Sequence, residues 1–445
     1  MPTMSFLWYG LGMRLFGETV AGLRAASALI GTLTVLTTFL LARELWGRRV
    51  GWLAAILLAC SHYHIHFSRL GSNQIADGLF ITLALWLLAR GLRFRKPLYF
   101  ALSGAVAGLG WYGYFGARLI GIILALYLAW RWAAGYRFFA RYGQLLLLLL
   151  VAALIVAAPL LLHFAQYPDK MTSRLQQVSI FASGWLEREQ EITGRSAASL
   201  LLEQFWKSIS AFNYTLDPTF WYRPSIPLLD FVSGALFLLG LAWVTAKYRW
   251  PSNGLLLVWF WAALILGWVL TENPPSSMRM TGIAPVLSIL VALGLNWLAR
   301  ITPHASRLTF HASLILIAIL NLYYYFAIYT PTRVYGNPTA EIATELGHYL
   351  ALQDDDYVVY FHAQPVMYWD FGALRFIARN VEGEDVREGD CAEPDPVHGA
   401  RFVFLPRRFD ELETIREEYP GGLETPVYSS ADNRLLYILY EVDRR

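Results

Sequence analysis

Residues 61–77, SHYHIHFSRLGSNQIAD, gather three histidines, an arginine, an asparagine and an acid between two apolar runs. Asp77 opens the second run, and Arg69 upstream offsets its charge. A carboxylate held at a membrane edge near a cation suits a charged substrate or an acceptor nucleophile that must lose a proton. The same position fits a helix cap, where a carboxylate meets the free N–H groups of the first turn. The two roles are compatible. His62, His64 and His66 alternate. On a strand they share one face and offer a metal site, whereas on a helix only His62 and His66 do. Two imidazoles without a nearby acid are a weak zinc signal, so no metal is expected and contact with headgroups or neighbouring helices is the simpler role. Two more arginines stand in similar settings. WYGYFGARL puts Trp111, Tyr112 and Tyr114 beside Arg118, which reads as an interfacial aromatic belt or as the wall of a sugar or lipid-phosphate site. ENPPSSMRMTGIAP puts Arg279 at the mouth of another run, behind Pro274 and Pro275, with Pro285 expected to interrupt the helix. Guanidinium matches phosphate bidentately, so Arg279 is a candidate phosphate clamp. For each of these arginines the plainer role is snorkelling to the interface.

The elements that must position these residues are apolar. The chain of 445 residues is 56% hydrophobic but only 16% charged, against about 25% charge in soluble domains, and its mean hydropathy is +0.41. Lipid is therefore the expected solvent for most of it. A net charge of +3 gives no footprint for nucleic acid. Cys60 lies in an apolar run and Cys391 in the polar tail, so no disulfide framework is implied. Residues 1–22 lack the pattern of a cleavable signal peptide.

A membrane span takes roughly 20 apolar residues as helix. Ten runs qualify: 23–42, 50–67, 78–89, 98–115, 119–130, 145–164, 228–246, 255–270, 281–298 and 308–329. The runs 78–89 and 119–130 are short, and extension by flanking residues or burial among neighbours is expected for them. Basic residues cluster in every second gap: Arg43, Arg48 and Arg49; Arg90, Arg93, Arg95 and Lys96; Arg131, Arg137 and Arg141; Lys247 and Arg249; Arg300 and Arg307. The alternate short gaps hold only Arg69, Arg118 and Arg279. The positive-inside rule puts the first set in the cytoplasm and the second set, with the loop 165–227 and the tail, outside. A depleted-side arginine near the membrane tends to have a partner or a function, and these three together can bind an anionic headgroup.

Within the loop 165–227, Leu201, Phe205, Ile209 and Phe212 repeat at helical spacing, with Leu202 and Trp206 beside them. This reads as an amphipathic helix on the outer leaflet or one packed on the bundle. In the span 98–115, Gly104 and Gly108 form a GxxxG pair suited to close helix packing. The chain divides into a membrane domain, 1–330, and a more charged tail, 331–445. The tail predicts a helix over 338–352, strands over 357–361 and 401–405, a helix over 410–419, and a hairpin of 426–429 and 435–440 about Ala431, Asp432 and Asn433. The fold class is thus a polytopic α-helical membrane protein of about ten transmembrane helices with a small C-terminal extracytoplasmic α/β domain, seated in the plasma (inner) membrane.

FGETVAGLRAASALIGTLTV, LARELWGRRVGWLAAILLA, HFSRLGSNQIADGLFITLALWLLARGL, GAVAGLGWYGYFGARL and, more weakly, NPPSSMRMTGIAPVLSILVALGL occur in this order. Together they resemble the dolichyl-phosphate-mannose–protein mannosyltransferase-like group of GT-C membrane glycosyltransferases over most of the first 300 residues. The resemblance implies an inverting transfer of a sugar from a polyprenyl-phosphate donor to an acceptor hydroxyl of a protein, lipid or glycan, on the outer face, with no cofactor beyond that donor. A carboxylate would deprotonate the acceptor, and cations would hold the departing lipid phosphate. Asp77 would match the family's second acidic position, Arg118 and Arg279 would face the phosphate, and Arg69, Asn73, Tyr112 and Tyr114 would complete the substrate site. The family's main catalytic acid lies in a first outer loop after an initial span. Here residues 2–18 resemble only the end of that loop, and Glu18, its sole acid, fits the family's FG-x-S/T turn and not the catalytic position. The charge alternation points the same way, to one span missing ahead of Met1. That start favours, as another class, a non-catalytic relative that binds lipid-linked sugar or serves as a scaffold. A transporter of lipid-linked substrate is less well matched, because mass concentrates on one face and no inverted repeat is apparent.

Overall fold

A computed structural model describes residues 3–135, 137–301, 306–332, 337–353, 356–390 and 398–443. Cys391 and the side chain of Arg307 lie outside the described residues. The chain forms two compact units, Met1–Thr332 and Arg333–Arg445.

In the first unit every apolar run is helical. A helix not expected from the sequence, α1 (Met4–Phe16), comes first and packs on α2 (Val20–Trp46), where a Cβ on Gly12 would lie 2.7 Å from that of Ala26. Thr19 caps α2, its hydroxyl accepting the Gly22 N–H at 3.1 Å. The run 50–67 is broken: α3 (Arg48–Cys60) and α4 (His62–Arg69) meet at a 60° bend. A 3-10 turn (Asn73–Ile75) leads into α5 (Ala76–Phe94), followed by α6 (Pro97–Gly110), a 3-10 turn (Phe115–Arg118), α7 (Leu119–Ala133) and α8 (Arg137–Gln166). The loop holds α9 (Pro168–Val178), α10 (Trp185–Thr193) and α11 (Ala197–Ser210). Then come α12 (Phe231–Ala246), α13 (Pro251–Leu264) with a π-helical end (Ile265–Val269), a 3-10 segment (Ser277–Ile283), α14 (Ala284–Ile301), and α15 (Ser306–Tyr323), which passes through a π-helical stretch (Tyr324–Tyr329) to α16 (Thr330–Thr332).

Seven of these helical stretches are long and apolar enough to cross a membrane, the bent α3–α4 pair makes an eighth, and the shorter apolar helices α6 and α12 complete the ten runs. The short run 78–89 is extended at both ends and mostly buried. Pro285 does not interrupt a helix. It sits in the first turn of α14, where its missing N–H is no loss, and the irregular backbone falls earlier, at Met280.

Small residues set the helix spacing. A Cβ on Gly104 of α6 would lie 2.0 Å from the Leu149 carbonyl of α8, and one on Gly108 2.6 Å from that of Ala153. A second pair does the same for α12 and α14: Cβ atoms on Gly240 and Gly294 would lie 1.9 and 2.0 Å from the Leu290 and Leu236 carbonyls. α14 is buried on all sides from Ala284 to Asn296 and forms the centre of the unit. In the loop, α11 reconciles both readings of its amphipathic pattern. Leu200, Gln204 and Ser208 are buried against the bundle, while Leu202, Phe205 and Trp206 are exposed on the other side.

The second unit has α17 (Pro338–Ala351), β1 (Tyr357–His362), α18 (Gly372–Ile377), β2 (Gly383–Asp385), β3 (Gly399–Phe404), α19 (Glu411–Glu418), β4 (Leu423–Tyr428) and β5 (Leu435–Val442). The sheet order is β2-β1-β3-β5-β4, with β1 parallel to both neighbours and the rest antiparallel. β3 is buried throughout, which suits a strand covered on both faces. The hairpin forms as the sequence implied, whereas β2 is too short and polar to have been seen.

Candidate functional site

Asp77 is the second residue of α5 and fully buried, so the N-cap position belongs to Ile75 instead. Its carboxylate lies where three segments meet: the start of α5, the turn before α7 and the segment before α14. Gly116 is pressed against it, for a Cβ there would lie 2.1 Å from Asp77 Oδ2, and one on Gly282 would lie 3.4 Å from Asp77 Cβ. The backbone of Ala117 lies beside the carboxylate, and Arg118 acts on it through space. Oδ2 accepts from the Thr281 hydroxyl at 3.4 Å, but that hydroxyl has one proton and also lies 2.6 Å from the Gln74 carbonyl. Oδ1 has no partner among the described residues. A buried carboxylate oxygen without a donor is costly, and the sites that keep one are commonly functional.

Arg118 donates through Nε to the Trp111 carbonyl at 3.2 Å and lies 4.5 Å from the Phe115 ring and 5.5 Å from that of Phe164. This sandwich fixes the side chain without occupying its terminal nitrogens. Arg279 is held by the Thr271 hydroxyl at 3.0 Å and the Glu272 carbonyl at 2.5 Å, both through Nη1, and its buried Nε has no partner among the described residues. Arg279, Tyr114 and Gly116 line one groove of about 910 Å³ together with Arg174. Met171, Arg174, Leu175 and Val178 all line it from one face of α9, and Leu119, Leu266 and Leu270 supply apolar wall from the flanking spans. The lining contains two arginines and no carboxylate. From Leu266 a second groove of about 1100 Å³ continues between α7 and α13, past Ile122, Leu126 and Trp130.

The structure therefore groups Asp77, Arg118, Tyr114 and Arg279, and separates the other candidates from them. Arg69 lies over the rings of Tyr325 and Phe326, at 5.6 and 5.1 Å, on the π-helical stretch. Tyr112 donates its hydroxyl to the Val156 carbonyl at 3.0 Å and fastens α6 to α8. Asn73 begins the turn before α5 and does not line the groove. His62 and His66 share a helix face and engage one tyrosine: His62 Nδ1 hydrogen-bonds the Tyr222 hydroxyl, and the His66 ring stacks on Tyr222 at 4.2 Å. Among the described residues no group of three His, Cys, Asp or Glu side chains is placed to hold a metal. The sequence reading missed Arg174, although the i, i+3, i+4, i+7 spacing of α9 was there to be read.

Residues 1–163 match the family described as dolichyl-phosphate-mannose-protein mannosyltransferase. An uncharacterized protein of Aquifex aeolicus is 33% identical over 103 residues, 23% of this chain and 21% of that protein. The undecaprenyl phosphate-alpha-4-amino-4-deoxy-L-arabinose arabinosyl transferase of Pseudomonas paraeruginosa is 34% identical over 140 residues, 29% of this chain and 26% of that protein. The chain thus spans about a quarter of the length of the curated relatives it matches. In fold the likeness is broader. ArnT from Cupriavidus metallidurans bound to undecaprenyl phosphate superposes with a TM-score of 0.60 at 14% identity, covering 98% of this chain and 87% of that one. Its apo form gives 0.59. The resemblance to GT-C membrane glycosyltransferases holds in sequence over residues 1–163 and in fold over nearly the whole chain.

Proposed function

We propose that this protein transfers a sugar from a polyprenyl-phosphate donor to an acceptor hydroxyl, with inversion, on the membrane face opposite its arginine-rich loops. The observation that carries this reading is the groove: apolar along its length, bearing Arg279 and Arg174, and free of acids in its lining. Such a channel suits a lipid with a phosphate head, and Gly116 joins its wall to buried Asp77. ArnT, which has this fold, is known bound to undecaprenyl phosphate, and this supports the same lipid class here.

In the proposed reaction the acceptor oxygen forms a bond to the anomeric carbon as the bond to the phosphate oxygen breaks. The acceptor proton passes to a carboxylate, and the electron pair leaves with the lipid phosphate. Arg279 and Arg174 bind that phosphate, and Arg118 adds positive charge where the leaving group becomes more anionic. Asp77 Oδ1, buried and without a donor among the described residues, is the candidate atom to accept from the acceptor hydroxyl.

The test is turnover by protein reconstituted with radiolabelled undecaprenyl-phosphate sugar and a membrane extract as acceptor source, read as release of undecaprenyl phosphate. Asp77→Asn should abolish release while lipid binding persists. Wild-type turnover in that variant would remove Asp77 from the chemistry. Tight lipid binding without turnover in the wild type would instead support a binding or scaffold protein.

A further inference from the structure

At the other end of α13 from the groove, a cavity of about 680 Å³ opens between the ends of α2, α12 and α14 and the start of α13. Its walls carry Trp46, Trp243, Trp250 and Trp297, with Asn296 and Arg300 from the last turns of α14. Three of the tryptophans are held in place. Trp46 donates its indole N–H to Asn253 Oδ1 at 2.9 Å, Asn253 in turn donates to the Lys247 carbonyl at 3.2 Å, and Trp243 meets Trp250 edge to face at 5.9 Å.

Two polar groups in this cavity are left over. Asn296 is only 8% exposed, yet its side-chain amide makes no hydrogen bond among the described residues. That amide lines the cavity, where it can donate to an occupant. Arg300 lies four residues on, on the same helix face, and forms no ion pair among the described residues. The surrounding charge points to an anion. The loops at this end carry the clustered arginines and lysines, and their single acid, Glu44, is already held by Arg93 at 2.8 Å and Arg90 at 3.4 Å.

We propose that this cavity binds the headgroup of an anionic glycerophospholipid from the leaflet on the arginine-rich side. Arg300 and the Asn296 amide hold the phosphate. The tryptophans cover the glycerol and first acyl carbons, a boundary where an amphipathic indole is at home. This recess, lined by one arginine, differs from the polyprenyl-phosphate groove in leaflet, in residues and in occupant.

Native mass spectrometry of the full chain in detergent, titrated with phosphatidylglycerol, tests this. One phosphatidylglycerol should bind wild-type protein in preference to phosphatidylcholine. Arg300→Gln should weaken it about five-fold, and Asn296→Leu by a similar factor, with thermal unfolding midpoints showing both variants folded. Arg249→Gln, on the same side but outside the cavity, should leave it unchanged. Three outcomes overturn the proposal: unaltered binding in both cavity variants, an equal loss in Arg249→Gln (a diffuse field and no site), or displacement of the lipid by millimolar inorganic phosphate (an anion site without lipid specificity).

Discussion

The membrane unit buries three aspartates, and two of them are treated differently from the third. Asp217 accepts four hydrogen bonds: from the N–H and hydroxyl of Thr219, at 2.9 and 2.6 Å, and from the N–H, at 3.0 Å, and hydroxyl of Ser277. Asp230 caps α12 through the Val232 and Ser233 N–H groups, both at 3.0 Å, and accepts from Asn321 at 2.7 Å. Both are structural: the first ties the long loop to the segment before α14, and the second ties α12 to α15. Asp77 is as deeply buried, but among the described residues its carboxylate has one long side-chain hydrogen bond shared with a competitor, the Ala117 backbone beside it, and one oxygen, Oδ1, without a partner. Burial alone does not mark a functional acid. Unspent acceptor capacity, beside an arginine and a groove, is what puts Asp77 forward in the proposed reaction.

The sharpest way to break this comparison is to neutralise both kinds of acid. Asp77→Asn is expected to lower sugar transfer by at least about 100-fold while leaving the thermal unfolding midpoint in detergent unchanged. Asp217→Asn should do the reverse, turning an amide N–H₂ toward bound donors at a cost of about 1–3 kcal/mol and lowering the midpoint. An unstable Asp77→Asn beside a stable Asp217→Asn would invert the assignment. Gly116→Ala comes next. The added Cβ must push the Asp77 carboxylate aside, so transfer should fall some tens of fold, since a misplacement of about 1 Å can cost 100-fold, with undecaprenyl phosphate binding retained. Arg279→Gln acts on the groove itself and should weaken undecaprenyl phosphate by about ten-fold, as loss of one charge-assisted hydrogen bond predicts; titration by native mass spectrometry would measure it.

The smallest effect lies in the second unit, where a polar cluster is paired for stability. His362 donates from Nδ1 to Glu411 at 2.8 Å, and Arg408, itself buried, grips the same carboxylate and the Val386 and Arg387 carbonyls. Burial holds His362 below its ordinary value of 6.5, with Glu411 opposing only in part. Burial also raises Glu411, but the Arg408 and His362 hydrogen bonds outweigh it and leave the carboxyl below 4.5. Both groups therefore take up protons more readily unfolded than folded. Their contribution is complete above about pH 6.5 and declines as the pH falls through that value. Hydrogen–deuterium exchange in β1 and β3, corrected for intrinsic rate, should quicken modestly from pH 7.5 to 5.5, and His362→Gln should flatten the change.

The sequence by itself determined the ten apolar runs, the alternation of arginine between their gaps, the close-packing glycine pair of α6 and most strands of the tail. It also singled out Asp77, Arg118, Tyr114 and Arg279. Each of these rests on local composition or on a period of two or 3.6 residues, which sequence displays directly. Only the tertiary structure decided the rest. It set the bend at Ser61, gave Arg69 the π-helical tyrosine as a neighbour, sent Tyr112 to α8 and brought Arg174 from α9 to Arg279. Asp77 and Asp217 look alike in sequence as acids near apolar segments. What separates them is how many donors the fold turns toward each, and those donors come from residues 60 or 204 positions away or from two. Hydrogen-bond satisfaction in a buried site is a property of packed segments, and no spacing along one chain encodes it.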